Sequence, residues 1–236
     1  NGQILHNHYG PHLLEKGKMV LCDCGAETAL HYGGDLTRTF PVDKQFTSLQ
    51  REVYQIVLDA HQAAVAALRP GIPYRDVYYL ACGILVRGLQ QLGLMQGDVQ
   101  EAVAEGAHAL FFQCGLGHML GLDTHDMENL GEAYVGYTDV LTKSTQFGIK
   151  YLRLGKPLEE GYVLTVEPGL YFIPELIDAW AAEKKLSQFI RYDKLEAFRH
   201  FGGIRIEEDF LITATGGRLL GDPLPKTIAE IEALRG

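Results

Sequence analysis

No stretch of this chain is apolar for the ~18–20 residues that a membrane-spanning helix needs. Positive charge is short as well. The 21 lysines and arginines face 30 acids, a net charge of −9, whereas a nucleic-acid surface needs a basic face. Cysteine is scarce: Cys22, Cys24, Cys82 and Cys114 are the only four, and none stands in a C-x-x-C pair or other zinc-ligand spacing. So few thiols in so long a chain point to reduced cysteines and a cytoplasmic location. Cys22 and Cys24, flanking Asp23, read as small core residues. No signal-peptide pattern opens the sequence, which begins at Asn1 rather than Met.

What is present suits a globular protein. Hydrophobic residues make up 47% and charged residues 22%, enough of each to build a core and a solvated surface. No Ser/Pro/Gly-rich linker divides the 236 residues, so one domain over 1–236 is expected. Strand-like runs are QILHNHY (3–9), KMVLCD and DLTRTFPV. Thr47-Ser48-Leu49-Gln50 fits a capping box ahead of a helix with Val53, Val57, Ala60, Ala64 and Leu68 on one face. A second helix is expected from Tyr74 to Leu92, with Val77, Leu80, Ala81, Ile84, Leu85, Leu89 and Leu92 inward and Gly93 as its stop. Further helices are expected over 99–109, 175–199 and 226–234. Between them lie an irregular stretch (129–160), a strand YVLTVE (162–167) and a closing strand GIRIEEDFLIT (203–213). The tetrads HYGG (31–34) and HFGG (200–203), each ahead of an acid-bearing strand, suggest two halves of related design.

Acids fall where strands ought to be. Asp35 opens DLTRTFPV although aspartate is depleted in strands, and a hairpin can bring it to the same sheet end as Asp23. Glu167 closes its strand, and alternation puts Arg205, Glu207 and Asp209 on one face. Taken singly each has a plain explanation: Asp23 as a turn former, Glu207 as a solvated edge, Glu167 as a strand end. Gathered without cations they would repel by ~4 kcal/mol per pair at 4 Å and an effective dielectric near 20. Two divalent metal ions would turn that repulsion into binding energy, and an oxygen-rich site with an imidazole suits Mn, Fe, Co or Zn. The imidazole is expected from the glycine-rich run, where His118 has small neighbours and His125 has acids beside it; either also fits an ordinary loop histidine. His61 and His108, in helical patterns, are read as ordinary residues.

LCDCG, GGDLTRTFPV, GLGHMLGLDTHD, VLTVEPGLYF and GGIRIEED, in this order, resemble the pita-bread metallopeptidases, and within them aminopeptidase P and prolidase. The likeness covers nearly the whole chain. It implies an α/β (α+β) pita-bread fold, a curved antiparallel sheet flanked by helices and incomplete at the N-terminus, holding two ions, usually Mn²⁺. Carried over motif by motif, the ligands would be Asp23, Asp35, His118, Glu167 and Glu207. Asp35 and Glu207 would bridge the metals, Asp23 completing one set and His118 and Glu167 the other. The resemblance further implies that metal-activated water attacks the scissile carbonyl and that Glu167 shuttles its proton. His6 and His125 would steady substrate or tetrahedral intermediate, Arg205 would hold an acid such as Asp23 in its charged form, and Arg153 would grip a substrate's free carboxylate.

Three departures from that pattern stand out. The Asp23–Asp35 spacing is one residue longer than usual, Cys114 replaces a histidine common four residues before the ligand histidine, and the chain begins late. Without preceding helices one face of the first half-sheet would be uncovered, an apolar patch that seeks a partner. The expectation is therefore a fragment, a homo-oligomer, or a chain that associates with its N-terminal segment. The function that the resemblance implies is that of a dinuclear metallo-exopeptidase hydrolysing the Xaa–Pro bond at peptide N-termini, of aminopeptidase P or prolidase type, expected to act on proline-containing peptides and not on nucleic acid or membranes. Methionine aminopeptidase is disfavoured by TRTFPV. The alternatives are a non-catalytic pita-bread binding protein and an inert fragment needing its upstream segment.

Overall fold

The computed structural model describes residues 2–6 and 10–235. Residues 2–6 form turns rather than the expected strand, and 7–9 lie outside the described residues. The first hairpin pairs β1 (Met19–Glu27) with β2 (Gly33–Pro41), antiparallel, Asp23 opposite Thr37 and Gly25 opposite Asp35. Asp23 therefore sits inside its strand rather than ending it. β1 is exposed from Cys22 onward, and Cys22 and Cys24 are exposed thiols, not core residues. They alternate with Asp23 and so point away from the cavity described below, on a sheet face that no described element covers.

Helix α1 (Ser48–Ala67) begins at the expected capping box: Thr47 accepts from the Gln50 backbone N–H while the Gln50 side chain accepts from Thr47 N–H. Val53, Val57, Ala60, Ala64 and Leu68 are all buried, as the spacing requires. Thr47→Ala leaves the Gln50 N–H without its side-chain acceptor and is expected to lower stability by about 1 kcal/mol, read from a denaturant melt. Helix α2 (Tyr74–Gln91) packs on α1. Its inward face carries Tyr74, Tyr78, Val77, Ala81, Leu85 and Leu89, while Leu80 is exposed because the two buried tyrosines turn the face away from it. The expected helix over 99–109 is two pieces, α3 (Val99–Ala104) and a 3₁₀ turn (Ala107–Leu110), parted by Gly106 at φ 80°. The irregular stretch includes α4 (Glu132–Gly136). Among the described residues no helix is long and apolar enough to cross a membrane.

The second half adds β3 (Val163–Val166), β4 (Gly169–Tyr171), β5 (Gly203–Arg205), β6 (Glu208–Thr213) and β7 (Gly216–Leu219). All pairings are antiparallel, in the orders β3-β6-β7 and β4-β5. The closing strand read as continuous breaks between β5 and β6, and its partner breaks at Glu167-Pro168 between β3 and β4. Pro168 has no N–H to give the ladder, and the Glu207 N–H turns instead to the Thr37 carbonyl, 3.1 Å away. That Thr37–Glu207 bridge joins the two halves. The helix expected over 175–199 is α5 (Pro174–Ala182) followed by a 3₁₀ helix (Tyr192–Phe198). Left-handed Lys184 and Leu186 stop α5, and buried Phe189 and Ile190 then pack toward the end of α2, Ile190 bridging Met95. Helix α6 (Ile228–Arg235) closes the chain. Helix α1 contacts β3, β4, β5 and β7, so the helical core lies behind the sheet and its other face is left for chemistry.

Candidate metal centre

Both breaks in the second half-sheet carry an acid. Glu167 follows β3 and Glu207 lies between β5 and β6, where ladder pairing is relaxed and a side chain can be re-aimed. Glu207, far from being a solvated edge, is 2% exposed. Its Oε2 accepts from Thr37 Oγ1 at 2.6 Å, two residues along β2 from Asp35. The Asp35 N–H donates to Asp209 Oδ2 at 3.0 Å, so strand alternation places Arg205, Glu207 and Asp209 against β2 as expected.

His118 comes from a glycine-rich segment that runs extended beside β3: Thr165 N–H donates to the His118 carbonyl and Leu120 N–H to Val163. Gly117 is obligatory there, since a Cβ would stand 2.1 Å from the Thr165 carbonyl and 2.7 Å from Tyr74 Oη. Gly117→Ala is expected to push His118 off β3, lowering melting stability by about 1–3 kcal/mol and weakening metal binding, both read in one thermal titration with Mn²⁺. His118 Nδ1 lies 2.9 Å from the Met119 carbonyl. A carbonyl only accepts, so Nδ1 carries the hydrogen and Nε2 faces the acids. Nε2 is 3.5 Å from Asp35 Oδ2 and 3.6 Å from Glu167 Oε1.

Donor atoms of Asp35, His118 and Glu207 all lie within 4.8 Å of one another, and all five sequence-predicted ligands line one cavity of about 390 Å³. Asp23 stands somewhat apart, its carboxylate taken by Arg205. Arg205 also donates to Thr37 Oγ1 (2.9 Å) and Tyr171 Oη (3.2 Å) and approaches Glu207 Oε2 at 3.5 Å. It thus ties β1, β2 and β4 to the acid cluster, the clamp that its place on the ligand face suggested.

Burial pushes the Glu207 carboxyl well up, and neighbouring Glu167 and Asp35 push it further. Burial also raises Glu167, against the pull of His118 and Arg205, and lifts Asp209 to about 6. Burial opposes charge on His118, yet Asp35, Glu167 and Glu207 together bring it up to about 9. The cluster is therefore desolvated, short of positive charge, and leans on an imidazolium proton to balance it. Carboxylates with one oriented imidazole fit a hard or borderline divalent cation, which would take that proton's place.

His125 packs edge-on against His118, ring centres 4.4 Å apart. Burial, with His118 and Arg153 adding to it, lowers it to about 4, so it is neutral at pH 7. His6 also lines the cavity, as does Arg153. Arg153 is not free: it pairs with Glu128 and lies 3.5 Å from Glu132, and Lys143 pairs with Glu132 in turn. Sequence reasoning missed Gln113, Glu132, Lys143, Phe147 and Tyr151 in the lining. These belong to short or irregular segments without a periodic signal. It also passed over Thr37, which alternation from Asp35 would have found.

The sequence profile of Metallopeptidase family M24 matches residues 1–214. The Xaa-Pro dipeptidase of Homo sapiens is 37% identical over 237 residues, covering 99% of this chain and 46% of the human protein. A probable Xaa-Pro aminopeptidase of Sordaria macrospora is 40% identical over 229 residues, covering 96% of this chain and 47% of its own length. Among solved structures, Zn-substituted Escherichia coli aminopeptidase P in complex with product superposes with a TM-score of 0.77 at 38% identity, over 100% of this chain and 45% of that one. The chain spans about half the length of the curated relatives it matches.

Proposed function

Since the chain belongs to Metallopeptidase family M24, whose pita-bread fold it shares with aminopeptidase P, we propose that it is a dinuclear metal-dependent exopeptidase hydrolysing the Xaa–Pro bond at peptide N-termini. The observation that carries this reading is the convergence of Asp35, His118 and Glu207, with Glu167 beside them, in one cavity. Relatives named Xaa-Pro dipeptidase and Xaa-Pro aminopeptidase supply the bond class.

Asp35 and Glu207 are proposed to hold both ions, with Asp23 on one and His118 and Glu167 on the other. Mn²⁺ is the proposed ion, in keeping with four carboxylates and one imidazole. Bound ions supply Lewis acidity, which polarises the scissile carbonyl and acidifies water. The chain's own side chains do the rest. Glu167, 3.6 Å from His118 and on the cavity wall, takes and returns the proton at its carboxylate. His118 is aimed by its Nδ1–H bond to Met119, and Arg205 keeps Asp23 charged and in place. His125 and His6 offer imidazole N–H donors from the wall to the developing oxyanion. Arg153 is proposed to meet a substrate carboxylate by exchanging its bond to Glu128.

Unpaired thiols at all four cysteines favour a reducing, cytoplasmic setting, and residues 1–236 are proposed to act as one catalytic domain. The exposed outward face of β1 is the surface proposed to meet a further segment of the whole protein, given relatives about twice this length. The test counts metal in Mn²⁺-loaded protein and compares hydrolysis of Xaa-Pro with Xaa-Ala peptides. Two ions per chain with cleavage confined to Xaa-Pro is the expected result. Two ions without cleavage of either would return the chain to a binding role.

A further inference from the structure

The bridge between the two half-sheets pairs Thr37 with Glu207. In an antiparallel register counted from it, Thr39 stands opposite Arg205 and Asp35 opposite Asp209. At both of these positions a side chain fills the gap between the strands. Thr39 Oγ1 donates to the Arg205 carbonyl (3.0 Å) and accepts from the Arg205 N–H (3.2 Å). The Asp35 N–H donates to Asp209 Oδ2 at 3.0 Å. The Asp209 carbonyl is turned elsewhere: it accepts the Leu220 N–H at 2.9 Å, just beyond β7. The Asp209 side chain therefore supplies the acceptor that its main chain does not.

That bond matters because the near end of β2 is otherwise lightly held. The chain reaches Asp35 through Gly33 and Gly34, which have the widest backbone freedom of any residue, and the residue opposite Asp35 in β1 is a third glycine, Gly25. The Asp209 carboxyl is thus the side-chain anchor of this end of the strand. Its other oxygen, Oδ1, is buried without a hydrogen-bond donor among the described residues, so the bond to Asp35 is what the side chain contributes. Asp35 Oδ2 lies 3.5 Å from His118 Nε2 in the donor cluster, and a ligand set has to be held to within about 0.5 Å to work. Asp209 is not itself in the cavity wall. It acts through Asp35.

We propose that Asp209 is a positioning residue of the metal centre: by accepting the Asp35 N–H it fixes Asp35 at the place shared by both ions. The inference rests on the ligand assignment of the exopeptidase reading above and adds to it a residue outside the cavity. Asp209→Leu removes the acceptor and is expected to weaken Mn²⁺ binding to the metal-stripped protein about tenfold or more, measured by calorimetry. Asp209→Asn keeps a side-chain carbonyl for the same N–H and should restore the affinity to within about threefold of wild type. The Mn²⁺ concentration for half-maximal Xaa-Pro cleavage should move with these affinities. At saturating Mn²⁺ the turnover of Asp209→Leu should return toward wild type, which a misfolded variant would not do. Where Asp209→Leu gives no cooperative melt, Asp209→Ala takes its place on the same scale. A wild type that binds two ions and cleaves nothing would sink the exopeptidase reading alone, and the affinities would still judge Asp209. The proposal is overturned if Asp209→Leu binds Mn²⁺ within about twofold of wild type, or if Asp209→Asn falls as far as Asp209→Leu. A wild type that binds no Mn²⁺ overturns it together with the ligand assignment.

Discussion

Asp35→Asn and Glu207→Gln are each expected to abolish metal binding and peptide hydrolysis together, turnover falling on the order of a thousandfold or more, roughly 4 kcal/mol of barrier. Each change replaces one carboxylate oxygen by an amide nitrogen at nearly constant volume, so packing is not what is lost. Asp35 and Glu207 share the tightest donor cluster with His118, and losing either removes a negative ligand from the position proposed to serve both ions. The same substitutions separate a metal role from a structural one. Burial and the neighbouring acids make a charge on Glu207 costly in the metal-free protein. Gln at 207 removes that cost while its carbonyl can still accept from Thr37 Oγ1, as Glu207 does. Metal-free Glu207→Gln should therefore melt no lower than metal-free wild type, and only the metal-induced rise in melting temperature should vanish. Retention of two ions and full turnover by either variant would show the ligand assignment to be wrong.

The first of the helices was legible because its signals are local. Thr47 and Gln50 cap α1 through bonds three residues apart, and its buried stripe follows from a period of 3.6. The acids were legible for the opposite reason: they violate local preference, and strand alternation then shows which of them share a face. What alternation could not supply is the pair of breaks at Glu167-Pro168 and Ile206-Glu207. Those depend on Glu207 N–H choosing Thr37 over its own ladder, a bond between residues 170 positions apart in the chain. Cys22 and Cys24 were misplaced for a related reason. Small thiols beside a strand acid look like core until the sheet face they occupy is found to be bare. Arg153 was located in the cavity, but its engagement with Glu128 and Glu132 arises within the irregular segment, where no period predicts a neighbour.

His61 and His108, ordinary as sequence, carry the other large expected effect: the metal-free protein should lose stability on acidification through these two residues. Both are buried, His61 wholly so. Neither His61 ring nitrogen has a hydrogen-bond partner among the described residues; its nearest acid, Glu208 at 3.7 Å, is already paired with Arg38 and Lys226. Burial lowers His61 to about 4, Lys226 and Arg38 assisting and Glu208 opposing. Burial lowers His108 to about 4 as well, its Nε2 lying 2.9 Å from Tyr78 Oη. The unfolded chain takes up these protons near pH 6.5 and the folded one only near pH 4. Between those values the unfolded state binds more protons, so stability falls as pH falls through that window and is intact above it. Each pH unit across the window is worth about 1.4 kcal/mol, so the loss comes to roughly 3 kcal/mol for each histidine. Glu167, Glu207 and Asp209, raised in the fold, work in the other direction as they protonate, so the effect is read as a difference between proteins. His61→Leu with His108→Gln, which keeps a partner for Tyr78, should gain roughly 6 kcal/mol on wild type between about pH 7 and pH 4. Urea unfolding followed by circular dichroism, in chelator, measures it. Parallel losses in the two proteins would mean that the imidazoles are already protonated, or reach water, in the folded chain.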